Sequence, residues 1–532
     1  MAPQRYASRR PRERAGDDRC AHPRVIRGAE WTGAALRAVD GHIAAVFGAS
    51  TAVTWRAVLT LTAVLALGAG LMLYRLGTAE ICEHNEAVEA VFVQRMVDHG
   101  EWFFPLLNAH EPMYKPPLFH WTAAGLAAGL GVESTTPLVV RLPSALYGLA
   151  GIAMAMLLML RWLGLHSALL SGLMLLGSYQ YMSAARFGRV DMALTCCEAL
   201  ALVAFVGWLS VPPTGTTRGG RRLAWQYLCA VGLGLAVLAK GPVGMLIPLL
   251  AMGIFLIVDG SWRHAIAGLS RGPALVLIVV SVSWYGLCLA SGHSDFLQRQ
   301  LGSENAARAI GGLGAMPPWY YLRPLLFNSP PLSVLVPIAV VAALRQPRTR
   351  VATERVAPKL FAIFWVVTLA VFSLVAYKRR AYLLPLWPPA AMLLAWWLCG
   401  AAAPQRRAIW RGAFTLAVGG QIVFNALYLP HADVRYCGGK PARRAAARIQ
   451  QVVPATSTLY WYGPGALPPP ILFYLDRTVP RLAGKLDDAP PGYILVATDS
   501  WQPGDALRTV LRPVLTVGAP PHALSLLYRA PG

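Results

Sequence analysis

The sequence predicts an all-α polytopic membrane protein of about 11 transmembrane helices, ending in a small α/β domain. Three observations carry this. The 532 residues are 56% hydrophobic and only 14% charged, where a soluble domain is about a quarter charged. The apolar residues stand in blocks of about 20, the length needed to cross a bilayer. The stretch 431–532 breaks that pattern, being polar, rich in Pro and Gly, and marked by short β-like runs.

This composition excludes a soluble enzyme, a disordered chain and a disulfide scaffold. The net charge is +23, from 48 Lys+Arg against 25 Asp+Glu. On a soluble chain it would suggest nucleic acid. On an oily one it asks which side of a membrane the cations face, and no nucleic-acid partner is expected.

Residues 1–52 carry nine Arg against five Asp+Glu and read as a basic, disordered cytosolic tail. The first block, Val53–Tyr74, is an uncleaved anchor that opens a membrane domain over 53–430. Further blocks run at about Leu138–Leu160, Ala168–Ala185, Met192–Leu209, Trp225–Ala239, Val243–Val258 and Ala274–Ala290. Leu332–Leu344, Leu360–Tyr377, Leu383–Cys399 and Gly412–Tyr428 complete the set. Leu118–Leu130 is too short to span and reads as an interfacial helix in the first outer loop, 75–137. With the N-terminus cytosolic, the inside loops carry Arg161, Arg221, Arg222, Arg263, Arg271, Arg345, Arg406 and Arg407, as the positive-inside rule expects. An odd span count then puts 431–532 outside, in the periplasm of a bacterial inner-membrane protein. A helix near Pro441–Val452 and strands near Thr458–Tyr462 and Tyr493–Ala497 are expected there. Most cysteines are small buried apolar residues. Cys82 and Cys437 are the only plausible disulfide pair, and the sequence does not require one.

The informative cations are those that break the orientation rule. Lys115 in MYKPPLFHW, Arg186 and Arg189 in ARFGRVDM, Lys240 in LAKGPVG, Arg308 in SENAARA, and Lys378, Arg379 and Arg380 in AYKRRAYLLP all fall at the outer ends of spans or in outer loops. Ionisable groups at that depth are costly and usually functional. Several together make an anion site, most simply for a phosphate. For any one of them, snorkelling by a long side chain is the plainer explanation. Of the acids on that face, Glu86 and Asp191 stand out. Glu86 lies on an apolar helical stripe with Ala90, Val93 and Val97. Asp191 opens a span beside Arg189, where the helix dipole alone would favour it. The pair suits a base or metal ligand and an orienting group. His84, His110 and His120 lack a tight ligand spacing.

These blocks, in order, resemble the C-type glycosyltransferases of the dolichyl-phosphate-mannose protein mannosyltransferase superfamily. The branch most similar contains the undecaprenyl-phosphate aminoarabinose transferase that modifies lipid A. The resemblance covers about residues 53–430. It rests on NEAVEAVFVQRMVDHGEWFFPLLN, MYKPPLFHW, RLPSALYG, ARFGRVDM, LAKGPVG, SENAAR, PPWYYL and YKRRAYLLPLWPPAAML. It implies a C-type glycosyltransferase fold, an undecaprenyl-phosphate-linked sugar donor, a lipid or glycan acceptor, and chemistry at the first outer loop against the bilayer. By resemblance Lys115 and Lys240 hold the donor phosphate, with Arg189, Arg308, Lys378, Arg379 and Tyr382 in support. Asp191 takes the second acidic position, and Glu304 and Asn305 match the family's EN pair. A divalent metal (Mg, Mn or Zn) is left open, and no covalently bound cofactor is implied.

The chain also departs from the family pattern. The usual Asp-Glu, with Arg and Tyr two and three residues on, is here Asn85, Glu86, Val88 and Glu89. The usual Glu-Lys-Pro is Tyr114-Lys115-Pro116, so a frequent metal ligand is missing. Either Glu86 or Glu83 then takes the leading acid's role, with Glu86 favoured, or the acceptor and metal arrangement differ. A protein O-glycosyltransferase of the same fold, a lipid-phosphate transporter and an inactive lipid-binding relative are the alternatives. Transport would place ionisable residues through the middle of the spans.

Overall fold

The computed structural model describes residues 55–211, 216–306, 314–330, 332–346, 352–401, 404–437, 442–463, 465–482, 486–497, 511–517 and 523–530. The basic tail expected over 1–52 lies outside them. The chain begins with α1 (Trp55–Leu73) and then enters the first loop, which holds α2 (His84–Val97) and α3 (Leu118–Gly129). There follow α4 (Pro137–Leu163), α5 (Leu165–Gly177), α6 (Tyr179–Ala185), α7 (Val190–Ser210), α8 (Thr216–Lys240), α9 (Val243–Asp259) and α10 (Arg271–Ala290). The last helices of the membrane domain are α11 (Leu332–Leu344), α12 (Ala352–Leu374), α13 (Trp387–Trp396) and α14 (Pro404–Cys437).

Among the described residues eight helices are long and apolar enough to cross a membrane, or nine if the bent pair Pro318–Phe327 and α11 is one span. The shorter apolar helices α5 and α9 account for the remaining two of the eleven blocks. One block differs from expectation: Ala168–Ala185 is broken. Ser178 adopts an extended backbone and its side chain caps α6 by accepting from the Tyr181 N–H, so α5 stops at Gly177. The 12 residues of α3 reach about 18 Å, short of a bilayer core, so this helix stays in the loop.

Local chemistry sets the elements that matter. Thr136 caps α4 and Pro137 occupies its first turn. Helix α8 ends at Lys240 because Gly241 takes a left-handed φ of 89° and Pro242 cannot continue the helix. Helices α7 and α8 lie close because Gly232 has no side chain: a Cβ there would meet the Ala201 backbone nitrogen at 2.8 Å.

The C-terminal region holds α15 (Ala442–Val452), α16 (Pro469–Leu475) and four strands, as expected of an α/β domain. With a two-residue hairpin in the first loop counted as β1 (Leu106–Leu107) and β2 (Glu111–Pro112), the strands are β3 (Leu459–Tyr462), β4 (Gly492–Ala497), β5 (Leu511–Val517) and β6 (Leu524–Arg529). The sheet order is β3-β4-β6-β5, with β3 and β4 parallel and the other pairs antiparallel.

This region is fused to the first loop rather than tethered near it. Phe92, Phe119 and Trp284 share one buried cluster with Leu472, Phe473 and Val479. Asn108 donates to the Val479 carbonyl and accepts from its N–H, both at 2.7 Å. The Ile81 N–H donates to the Tyr474 hydroxyl at 2.8 Å. Cys82 and Cys437 are joined in a disulfide, with Cα atoms 5.6 Å apart. It ties the end of α14 to the residue before the cap of α2. Replacing either cysteine with Ser should cost about 2–4 kcal/mol by releasing a 355-residue separation. Thermal unfolding of the detergent-solubilised protein should show the same drop in Tm for Cys82→Ser, Cys437→Ser and the double variant. A larger drop in the double variant would mean that the two thiols act separately.

Candidate active site

Five segments meet where α7 begins. Helix α2 supplies Asn85 and Glu89, one turn apart on one face. The link into α3 supplies Tyr114 and Lys115. The turn into α7 supplies Arg189 and Asp191, and the end of α8 supplies Lys240. The 3₁₀ turn Arg380–Leu386 and the residue before it bring Arg379, Ala381 and Tyr382. Together they line a tight cavity of about 10 Å³, room for about one water.

Its charges face one another. Asp191 pairs with Lys240 through Oδ1 and stands 3.4 Å from the Arg189 guanidinium through Oδ2. Arg379 donates to the Asn85 amide oxygen at 2.6 Å. The Tyr382 ring lies 4.9 Å from the Lys240 ammonium and stacks on Phe372. Lys115 is buried beside the Tyr114 ring, 5.2 Å from its centre. Among the described residues the lining therefore holds four cations, Lys115, Arg189, Lys240 and Arg379, and two acids, Glu89 and Asp191. A surplus of positive charge in a buried place is stabilised by an anion.

A larger cavity of about 260 Å³ adjoins this one and shares Arg189 and Asp191 with it. Tyr179, Phe187 and Leu384 give it apolar walls, while Gln180, Arg380 and Glu83 bring polar groups.

The structure thus brings together Lys115, Lys240, Arg189, Arg379, Tyr382 and Asp191 from the residues singled out in the sequence. Others are placed elsewhere. Lys378 is buried and donates to the carbonyls of Met316 at 2.9 Å and Val375 at 2.5 Å, so its charge serves a turn and does not line the cavity. Arg186 is buried and donates to the carbonyls of Leu71, Met72 and Tyr74 at the end of α1. Glu83 caps α2, accepting from the Glu86 N–H at 2.7 Å. Glu304 and Asn305 fall in the helical segment Gln298–Ala306; their side chains, and all of Arg308, lie outside the described residues.

Glu86, the favoured acid of the sequence reading, is also absent from the cavity lining. Its carboxylate receives a two-pronged bond from Arg141, with Nε to Oε1 at 2.7 Å and Nη2 to Oε2 at 2.9 Å. It also accepts from the Gly188 N–H at 2.9 Å. The same guanidinium binds the carbonyls of Leu76, Ala79 and Glu80. No partner for Glu86 is legible in the sequence, because Arg141 lies 55 residues away. What it did hold, unused, was the spacing of Asn85 and Glu89. One helical turn carries them to the cavity while Glu86 points behind.

Nor does the donor set suit a divalent metal. Among the described residues no three His, Cys, Asp or Glu side chains converge. Asp191 is taken up by two cations, and Tyr114 stands where the family pattern has a carboxylate.

A bundle of apolar spans, a first loop fused to a C-terminal α/β domain, and a cation-rich cavity between that loop and the spans define a polytopic membrane protein. Known proteins show likenesses to this class. Residues 114–285 match the family described as dolichyl-phosphate-mannose-protein mannosyltransferase. The chain is 29% identical over 341 residues to undecaprenyl phosphate-alpha-4-amino-4-deoxy-L-arabinose arabinosyl transferase 1 of Pseudomonas fluorescens, covering 63% of this chain and 59% of that relative. It is 26% identical over 314 residues to the corresponding transferase of Pseudomonas aeruginosa, covering 58% of this chain and 54% of that one. The chain thus spans less than two thirds of these relatives' length. Its fold is that of ArnT from Cupriavidus metallidurans bound to undecaprenyl phosphate, with a TM-score of 0.72 at 20% identity, over 90% of this chain and 98% of that one. A more distant likeness is the archaeal oligosaccharyltransferase AglB from Archaeoglobus fulgidus, solved with an inhibitory peptide and a dolichol-phosphate. Its TM-score is 0.55 at 13% identity, over 83% and 69% of the two chains.

The Glu86–Arg141 pair makes a sharp prediction. Glu86→Gln and Arg141→Met should each destabilise the protein by about 3–5 kcal/mol, because each leaves a buried charge unpaired. Their double variant should fall well short of the sum. Thermal unfolding of the purified variants checks this; additive losses would mean that the two residues are not partners.

Proposed function

We propose that the protein is an integral-membrane glycosyltransferase. It moves a sugar from a polyprenyl phosphate, undecaprenyl phosphate by the relatives' names, to a lipid or glycan acceptor at the outer face of a bacterial inner membrane. The observation that carries this is the convergence of four cations from four separate segments on one cavity. The donor phosphate sits at Arg189, which both cavities share, with the charges of Lys115, Lys240 and Arg379 close by, and the sugar and first isoprenoid carbons use the larger cavity.

The reaction asks little covalent work of the protein. An acceptor hydroxyl oxygen bonds to the anomeric carbon as the bond from that carbon to the phosphate oxygen breaks. The electron pair leaves on the phosphate, where the cations stabilise it. Asp191 holds Lys240 and Arg189 in place for that departing charge. Tyr382 fixes Lys240 from its other side. No step is assigned to a metal.

The relatives named for aminoarabinosyl transfer favour a pentose over a hexose, and the lipid A-like acceptor rests on the sequence resemblance alone. The Cys82–Cys437 disulfide supports a periplasmic location for the C-terminal domain, since such bonds persist in oxidising compartments. The unusual charges gather at one end of the bundle, which favours the enzyme over a transporter.

Lys115→Ala and Asp191→Asn should each cut sugar transfer by at least about 100-fold while leaving expression intact. Lipid mass spectrometry on a deletion strain, complemented with parent or variant, measures this. It also names the sugar and acceptor from the mass that disappears in the deletion. Normal transfer by both variants would overturn the assignment.

A further inference from the structure

One cavity acid is not bound to Arg189, Lys240 or Arg379. Glu89 is only 3% exposed, yet its carboxylate lines the cavity beside Tyr114 and Lys115. Oε1 accepts from the Tyr114 hydroxyl at 3.2 Å. Oε2 stands 2.7 Å from Nε2 of His120. A carboxylate can only accept, so the hydrogen between them belongs to the imidazole. His120 is completely buried in α3, with its ring edge-on to Phe92 and Phe119. Its Nδ1 has no hydrogen-bond partner among the described residues. A buried imidazole with one nitrogen committed to an acid and the other left bare is unusual for a purely structural histidine, because unmet buried groups are costly. The arrangement holds the carboxylate from behind and aims its other oxygen at the cavity.

We propose that Glu89 takes the proton of the acceptor hydroxyl and that His120 is its positioning residue. This rests on the glycosyltransferase reading above. As the acceptor oxygen bonds to the anomeric carbon, its proton passes to Glu89 Oε1, and the phosphate leaves with the electron pair of the broken bond. The neutral carboxyl then returns the proton to water. The other acids are less suited. Asp191 directs its oxygens at Lys240 and Arg189, and Glu86 is spent on Arg141 and Gly188 outside the cavity. Glu89 meets the Tyr114 phenol and the His120 imidazole and makes no ion pair with Arg189, Lys240 or Arg379 among the described residues.

Glu89→Gln keeps the size and hydrogen-bonding shape of the side chain and removes only its basicity. The test compares Glu89→Gln, Glu89→Asp, His120→Gln and Lys115→Ala with the parent, all reconstituted at full length. Binding of undecaprenyl phosphate and thermal stability are read beside sugar transfer in membranes of the complemented deletion strain across a pH series. Glu89→Gln should bind undecaprenyl phosphate as the parent does and lose at least about 100-fold in transfer. It should also lose the acid limb of the pH profile. Glu89→Asp should restore part of the rate. His120→Gln should fall between and move that acid limb, which a merely structural role would not do. Parental transfer by Glu89→Gln, or an unmoved acid limb in His120→Gln, overturns the proposal and leaves the glycosyltransferase reading intact. Failure of the parent to bind undecaprenyl phosphate, or its retention in Lys115→Ala, overturns that reading first and this proposal with it.

Discussion

The geometry of the site depends on one buried ion pair. Arg141 at the start of α4 grips Glu86 of α2 with two prongs, and its remaining donors gather the carbonyls of Leu76, Ala79 and Glu80. Glu86 in turn holds the Gly188 N–H, and Gly188 lies between the Arg186 anchor and Arg189. Three segments distant in sequence are thereby fixed to one another. Gly188 must be glycine for this to close: a Cβ would meet Val140 Cγ1 at 2.4 Å. Removing two charges from water is expensive. The cost is offset because almost every lone pair and N–H of the pair is used. Asn85 and Glu89 ride on the same helix as Glu86, so their position over the cavity follows from the knot behind them.

The cavity itself is built on the opposite principle. Among the described residues Lys240 and Arg189 share one carboxylate and Arg379 meets an amide oxygen. Asn85 stands where the family pattern has an acid. A carboxylate there would neutralise Arg379; the amide orients the guanidinium and leaves its charge free to act on a ligand. Where the family pattern has an acid, this chain therefore keeps the Arg379 guanidinium on a neutral partner.

The sequence made legible what depends on composition and sign. Apolar block length gave the spans, and the turn-rich tail gave α15, β3 and β4. Cations placed against the orientation rule gave Lys115, Arg189, Lys240 and Arg379, which do converge. It did not make partners legible. Lys378 sits next to Arg379 and carries the same charge, but two backbone carbonyls claim it. Glu86 and Glu89 differ only by three positions on one helix, and which of them faces the cavity depends on Arg141, far off in the chain. Cys82 and Cys437 offered no pattern that required pairing. The break at Ser178 was hidden because a capping side chain costs nothing in apolar character averaged over a block.

The departures from the family pattern acquire a physical sense in three dimensions. The resemblance implies Tyr at 89 and Glu at 114; this chain has Glu89 and Tyr114, and the two side chains are hydrogen-bonded. The residue types have exchanged backbones while the acid–phenol pair is kept at the cavity wall. The exchange moves the carboxylate from the loop before α3 onto α2. That helix is held by the Glu86 knot and by the disulfide next to its cap, and by the C-terminal domain through Gln94 and the Phe473 carbonyl. A base on a loop is free to wander; a base on a helix braced from three sides, with a buried imidazole behind it, is not. The C-terminal domain thus supports the site from outside, because without it the helix that carries Glu89 would lose part of its buried packing.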